Sequence, residues 1–326
     1  MNIYKKSYLL LMLSCVSVLV NAKNKATTPM LIVHFDINKT IMAEDPAGGK
    51  SLSDVLIGAL AETYKDRWGS GVSDPITYKE YVELHLFPGQ KGDGQLKKLR
   101  KEQIVQFIEY LSANNHPLHQ EVQQKFKTLH DKLNGSSSIV FTSFYRGLEY
   151  LKNHEVMHAI VLRTFGEDLD RIIDEIHTWV SPDFFSWRGE FKDGILTLVS
   201  LRSNEIVRLE TTAEIYEFLK THGNVAIHDD WKYWNKHGEC KEFGKLFPID
   251  AEDYNVISLF ADDNAHPQDG ILNPRHPHTN ESLDTQTLID ADYVRIVDPL
   301  QAIEQDDYFV DYFHAMLTRC SVQTVE

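Results

Sequence analysis

Short apolar runs, each stopped by a polar residue, alternate along the chain with stretches whose apolar positions recur every three to four residues. The first run, residues 31–35, ends on Asp36-Ile37-Asn38-Lys39-Thr40. A strand-length run rich in Ile, Val and Phe that stops at turn-compatible residues predicts a buried parallel strand with a loop at its C-terminal end. Residues 156–162 repeat the pattern and end at Arg163-Thr164, and residues 256–261 repeat it again and end at Asp262-Asp263. Shorter runs at 225–227 and 293–297 predict two further strands, and residues 187–201 read as a hairpin turning at Lys192-Asp193-Gly194.

Between the first two runs lies about a hundred residues of helical periodicity. Val55, Leu56, Ala59, Leu60 and Tyr64 follow Ser53 as N-cap. Residues 76–86 form a second helical stretch, Ile104 to Leu111 mark a third and Val122 to Leu133 a fourth. Further helices are expected at 143–153, 168–180, 212–219 and 300–317. Strands alternating with helices predict an α/β fold with a doubly wound parallel sheet. The helical block, residues 42–138, then reads as a cap inserted after the first strand, and residues 31–41 with 139–320 as the core.

At 326 residues, 42% of them hydrophobic and 25% charged, the chain suits one large or two moderate globular domains. A net charge of −15 argues against nucleic acid as partner. The start reads as a targeting segment: Lys5 and Lys6, an apolar stretch over 8–20, and Val20-Asn21-Ala22 as a cleavage site. Cleavage after Ala22 predicts an exported protein, periplasmic or secreted, with no stable membrane insertion afterwards. An uncleaved anchor is the alternative. Cys240 and Cys320 remain in the mature chain, with a bridge between them left open.

In open α/β sheets ligands bind beyond the C-terminal strand ends. Three such ends here present Asp36 and Thr40, Thr164, and Asp262 with Asp263. Acidic ends facing one crevice repel unless a cation sits among them, and hard carboxylate oxygens suit Mg²⁺ with phosphate as co-ligand. Aspartate also serves as a nucleophile toward phosphorus.

In the order and strand context of these motifs the chain resembles the haloacid dehalogenase-like superfamily, whose largest activity class is Mg²⁺-dependent phosphatases. The resemblance rests on Asp36-Ile37-Asn38-Lys39-Thr40 for the D-x-D-x-T motif, on Thr164 for the second, and on Asp262-Asp263 for the acidic pair. It implies a Rossmann-like core and a small phosphorylated substrate or ligand. Asp36 would be the nucleophile, and Thr164 would hold the phosphoryl oxygen. Mg²⁺ would lie on Asp36, the backbone carbonyl of Asn38, and Asp262 or Asp263. Lys245, in a Gly-Lys-x-x-Pro setting, resembles the family's lysine more closely than its rival Lys232.

The chain departs from the family at Asn38, where the phosphatases carry the Asp that protonates the leaving group and activates water. An amide does neither. Three outcomes follow: another acid (His34, Lys39 or a cap residue), a weak phosphatase acting on activated phosphates, or a protein that binds a phosphorylated ligand without turnover. If the missing acid is the defect, Asn38→Asp is expected to raise turnover.

Four features outside these motifs remain. His266, His276 and His278 with Asp269 fit no zinc spacing and read as loop histidines. His228-Asp229-Asp230 reads as a helix cap rather than a fourth acidic sheet end. Arg163 faces either a structural acid or an anionic substrate. The aromatics of 308–313 read as core.

Overall fold

In a computed structural model, residues 29–44, 49–69, 71–89 and 94–323 are described, with side chains as far as residue 319. The proposed signal segment and the side chain of Cys320 lie outside them. Among the described residues Cys240 is exposed and makes no bridge. No helix among the described residues is long and apolar enough to cross a membrane.

The strands are β1 (Met30–Asp36), the short pair β2 (Lys65–Asp66) and β3 (Ile76–Thr77), β4 (His158–Thr164), β5 (Trp187–Lys192), β6 (Ile195–Ser200), β7 (Ile206–Leu209), β8 (Val225–His228), β9 (Lys245–Pro248), β10 (Val256–Asp262), β11 (Leu272–Arg275) and β12 (Val294–Ile296). Eight of them form one Rossmann-like sheet in the order β12-β10-β1-β4-β8-β5-β6-β7. From β12 to β5 all pairings are parallel, and β5–β6 and β6–β7 are antiparallel.

Composition explains the difference. β1 and β10 are buried at every position because both faces are covered. β5 and β6 alternate buried and less buried positions, as suits the flank of a sheet. Their turn needs positive φ at both central residues, and Asp193 (φ 50°) and Gly194 (φ 85°) supply it. The sequence reading gave the hairpin but neither its attachment to β8 nor strand β7.

The helical block is present and differs in detail. Its first helix, Leu52–Thr63, starts behind Ser51 rather than Ser53, because Ser51 and Asp54 close a reciprocal capping box. The second begins at Tyr78 under a similar box from Thr77 and Glu80, then relaxes into a π turn at Val82–Leu86. The third is two helices, Gly94–Ile104 and Phe107–Ala113, and the fourth spans His119–Asn134. The expected C-terminal helix is also two, Pro299–Glu304 capped by Asp298, and Tyr308–Gln323.

Leu56, Leu60, Tyr78, Phe107, Val122 and Leu129 of the block share one apolar core with Leu31, Val33 and Phe35 of β1. Phe35 packs edge-on against Phe144, Phe309 and Phe313, so the late aromatics are core. The other sheet face buries Ile32 and Val161 under the helix Thr212–His222. The block therefore spends its apolar faces against the sheet's helix layer. Among its described residues from 49 to 138, none lines the large crevice at the C-terminal sheet edge, but Lys50, Val55 and Glu62 line a smaller cavity with Lys39 and Asp263 at the same edge. That crevice, about 1170 Å³, is walled instead by the β5–β6 turn and by residues 228–236.

Candidate active site

The parallel register brings the motif residues together. Asp36 lies opposite Arg163, and Thr164 opposite His228, across β1, β4 and β8, while Asp262 ends β10 on the other side of β1. Carboxylate oxygens of Asp36, Asp262 and Asp263 lie within 4.8 Å of one another, the one group of three potential metal ligands among the described residues. His266, His276, His278 and Asp269 form no such group. Their segment is partly ordered as a 3-10 turn, Pro267–Asp269, and as β11, not as one long loop.

Lys245 reaches the acidic group from outside the main sheet. It opens β9, which among the described strands pairs with β11 alone. Gly244 makes the approach possible, since a Cβ there would lie 2.5 Å from the Ile271 carbonyl oxygen. Lys245 Nζ donates to Asp36 Oδ1 at 2.5 Å and to Asp262 Oδ2 at 2.8 Å, and its side chain is 1% exposed. Lys232 is exposed on the crevice wall and makes no such bridge; of the two lysines, Lys245 is the one that lies among the carboxylates.

Arg163 faces a structural acid. Its Nε and Nη2 donate to the two oxygens of Asp229 at 3.0 and 2.5 Å, and Nη1 donates to the Leu246 carbonyl at 2.7 Å. This buried, forked pair ties β4, the end of β8 and the Lys245 ribbon together. Asp230 is the helix cap, accepting from Tyr233 N–H, so the two aspartates divide the cap and sheet-end roles. His34 Nδ1 lies 3.3 Å from Arg163 Nη1 and its Nε2 has no partner. Burial, and then the Arg163 charge, hold His34 well below its ordinary pKa. It is neutral, stacked on Phe260, and absent from the crevice lining.

Burial pushes the Asp36 carboxyl up to about 8, with Asp262 and Asp263 adding to the rise and Lys245 opposing it. Burial likewise raises Asp263. Thr40 steadies the loop: its hydroxyl donates to Asp36 Oδ2 at 3.3 Å and accepts from Asp263 N–H at 3.1 Å.

One motif residue sits differently from expectation. Thr164 is fully buried and does not line the crevice, whereas Asn38 does, and the Thr164 hydroxyl accepts from Gly166 N–H at 2.9 Å and donates to Asn38 Oδ1 at 3.4 Å. Gly166 lines the crevice in its place. The Asn38 amide donates to the Glu44 carbonyl at 3.1 Å and to Asp168 Oδ2 at 3.2 Å.

Asp168 was missed as a site residue. Its position before the helix Leu169–Trp179 reads as a cap, yet its side chain makes no capping bond and turns to Asn38. The signal available was its place two residues beyond Gly166, at the end of a motif strand.

Comparison with models of known protein families, with curated proteins and with solved structures finds no match to this chain.

Proposed function

We propose that the protein is an exported, Mg²⁺-dependent phosphohydrolase of the haloacid dehalogenase-like kind, working through an aspartyl-phosphate on Asp36. The observation that carries this reading is the buried Asp36–Lys245–Asp262 bridge at the C-terminal edge of the sheet, beside Asp263. Residues far apart in sequence converge there in the arrangement that phosphoryl transfer needs: a nucleophilic carboxylate, a fixed ammonium and an acidic pair. The three carboxylates are hard oxygen donors, which fits Mg²⁺. When all three are ionised they outnumber Lys245 and Lys39, the two lysines paired with them, by one negative charge. Mg²⁺, when bound, supplies the charge that favours an ionised Asp36 and neutralises the phosphoryl oxygens.

Asp36 attacks phosphorus, the bond to the leaving oxygen breaks, and the phosphoryl group is held as a mixed anhydride on Asp36. Lys245 keeps the carboxylate oriented and balances charge. The proton for the leaving oxygen comes from Asp168, the carboxyl beside Asn38. Water then attacks phosphorus, gives its proton to Asp168, and frees Asp36. The substrate is a small phosphate ester whose organic part lies against Phe165, Phe191, Trp231 and Tyr233 of the crevice.

The test is phosphate release from an aryl phosphate by wild type and Asp36→Ala, each with and without Mg²⁺. Mg²⁺-dependent release that is lost in Asp36→Ala supports the reading. The amide at Asn38 favours a second reading, binding of a phosphorylated ligand without turnover. Mg²⁺ binding with no release would select it, and absence of both would overturn the two together.

A further inference from the structure

Each of the six oxygens of the acidic group has a protein donor. Lys245 Nζ serves Asp36 Oδ1 and Asp262 Oδ2, and the Thr40 hydroxyl serves Asp36 Oδ2. Asn264 N–H donates to Asp262 Oδ1 at 2.8 Å, and its Nδ2 donates to Asp263 Oδ1 at 2.9 Å. The last oxygen, Asp263 Oδ2, accepts from Lys39 Nζ at 2.8 Å.

The two lysines are not equivalent. Lys245 bridges two carboxylates, is fully buried, and sits on a ribbon that Arg163 clamps through the next carbonyl. Lys39 pairs with one carboxylate of this group, lies in the Asp36 loop on the crevice lining, and keeps 19% of its side chain exposed. A long, partly solvated ammonium on a flexible stem has water to move into, and a buried bridging one does not.

We propose that Lys39 is a tethered internal cation that holds Asp263 in the metal-free protein and must leave it when a divalent cation binds, so that Lys39 sets the Mg²⁺ affinity of the site. The inference rests on the reading of Asp36, Asp262 and Asp263 as metal ligands. Mg²⁺ would need a lone pair of Asp263, and an ammonium held on that carboxylate competes with it for space and charge. Binding therefore carries the cost of separating Lys39 from Asp263. Removing Lys39 removes that cost and leaves a more negative site. A unit charge within about 4–6 Å changes the proton affinity of a carboxylate by roughly 10- to 1000-fold, so a change of at least about tenfold is expected for a divalent ion.

The experiment is calorimetric titration of metal-free full-length protein with MgCl₂, comparing wild type, Lys39→Met, Lys39→Arg and Asp36→Ala. The expected result is a Kd at least about tenfold lower in Lys39→Met, and one near wild type in Lys39→Arg, which keeps the charge. Thermal melts give the second readout. Metal-free Lys39→Met should melt lower than wild type, and Mg²⁺ should raise its Tm by more. An unchanged or weaker Mg²⁺ affinity in Lys39→Met, with wild type binding normally, would overturn the role of Lys39 alone. No heat of binding in any of the four proteins would overturn the metal reading and this inference with it.

Discussion

Lys245→Met tests the centre of the site without touching the proposed nucleophile. Lys245 is 1% exposed and lies 2.5 and 2.8 Å from two carboxylates. Removing one member of a buried pair costs about 3–5 kcal/mol, because the remaining charge is left uncompensated. Asp36, pushed up to about 8, already holds its proton at neutral pH, so Asp262 is the carboxylate left without a partner. A single uncompensated carboxylate puts the expected loss at the lower end, about 3 kcal/mol, out of a total stability on the order of 5–15 kcal/mol. Urea unfolding followed by tryptophan fluorescence reads the change as a lower midpoint at similar slope. The control is Lys232→Met on the exposed crevice wall, where a change within about 0.5 kcal/mol is expected. At a fixed Mg²⁺ concentration about a hundred times the wild-type Kd, wild type gains about 2.7 kcal/mol, and Lys245→Met, whose site has lost an ammonium and holds the cation more tightly, gains more, which narrows the gap. A loss below about 1 kcal/mol in Lys245→Met, no larger than in the Lys232→Met control, would show that Lys245 does not compensate the buried carboxylates.

Other consequences follow from neighbouring groups. Asp168→Asn should slow turnover of alkyl phosphates by about 10²–10⁴-fold and of aryl phosphates much less, because only the poor leaving group needs the proton. Asn38→Asp alone should not raise turnover as the sequence suggested, since it sets a second carboxylate against Asp168 Oδ2, now 3.2 Å from the amide. The exchanged pair Asn38→Asp with Asp168→Asn should recover activity lost in Asp168→Asn, and steady-state kinetics on both ester types checks this. Buried His34 stays neutral while the unfolded chain protonates near its ordinary value of 6.5. The stability present above that value is therefore lost as pH falls below it, by up to about 1.4 kcal/mol per unit. Urea midpoints from neutral to mildly acidic pH should show this slope in wild type and a flatter one in His34→Gln. Phe35→Ala, which removes the ring packed edge-on against Phe144, Phe309 and Phe313, should cost about 3–5 kcal/mol in the same assay.

The sequence by itself determined the elements whose cause is local. Apolar runs ending at Asp36, at Arg163-Thr164 and at Asp262-Asp263 had to be buried strands, because only a sheet covered on both faces accepts such runs, and their polar ends had to meet at one edge once the strands paired in parallel. The turn at Asp193-Gly194 and the helical period of residues 52–134 are equally local. Tertiary structure decided everything that depends on which segments lie side by side. β5 joined β8 rather than standing alone because its half-buried face completes the sheet over the core of Ile215 and Leu219. Lys245 rather than Lys232 stands among the carboxylates through a backbone approach at Gly244, which chain spacing does not encode. Arg163 found Asp229 and Asp168 found Asn38 across 66 and 130 residues, each through a hydrogen bond that only the folded chain can make. The helical block, expected over the crevice, buries its apolar faces in the core it shares with β1 and meets the acidic edge at Lys39 and Asp263, because its apolar stripes are covered by packing against the sheet's helix layer.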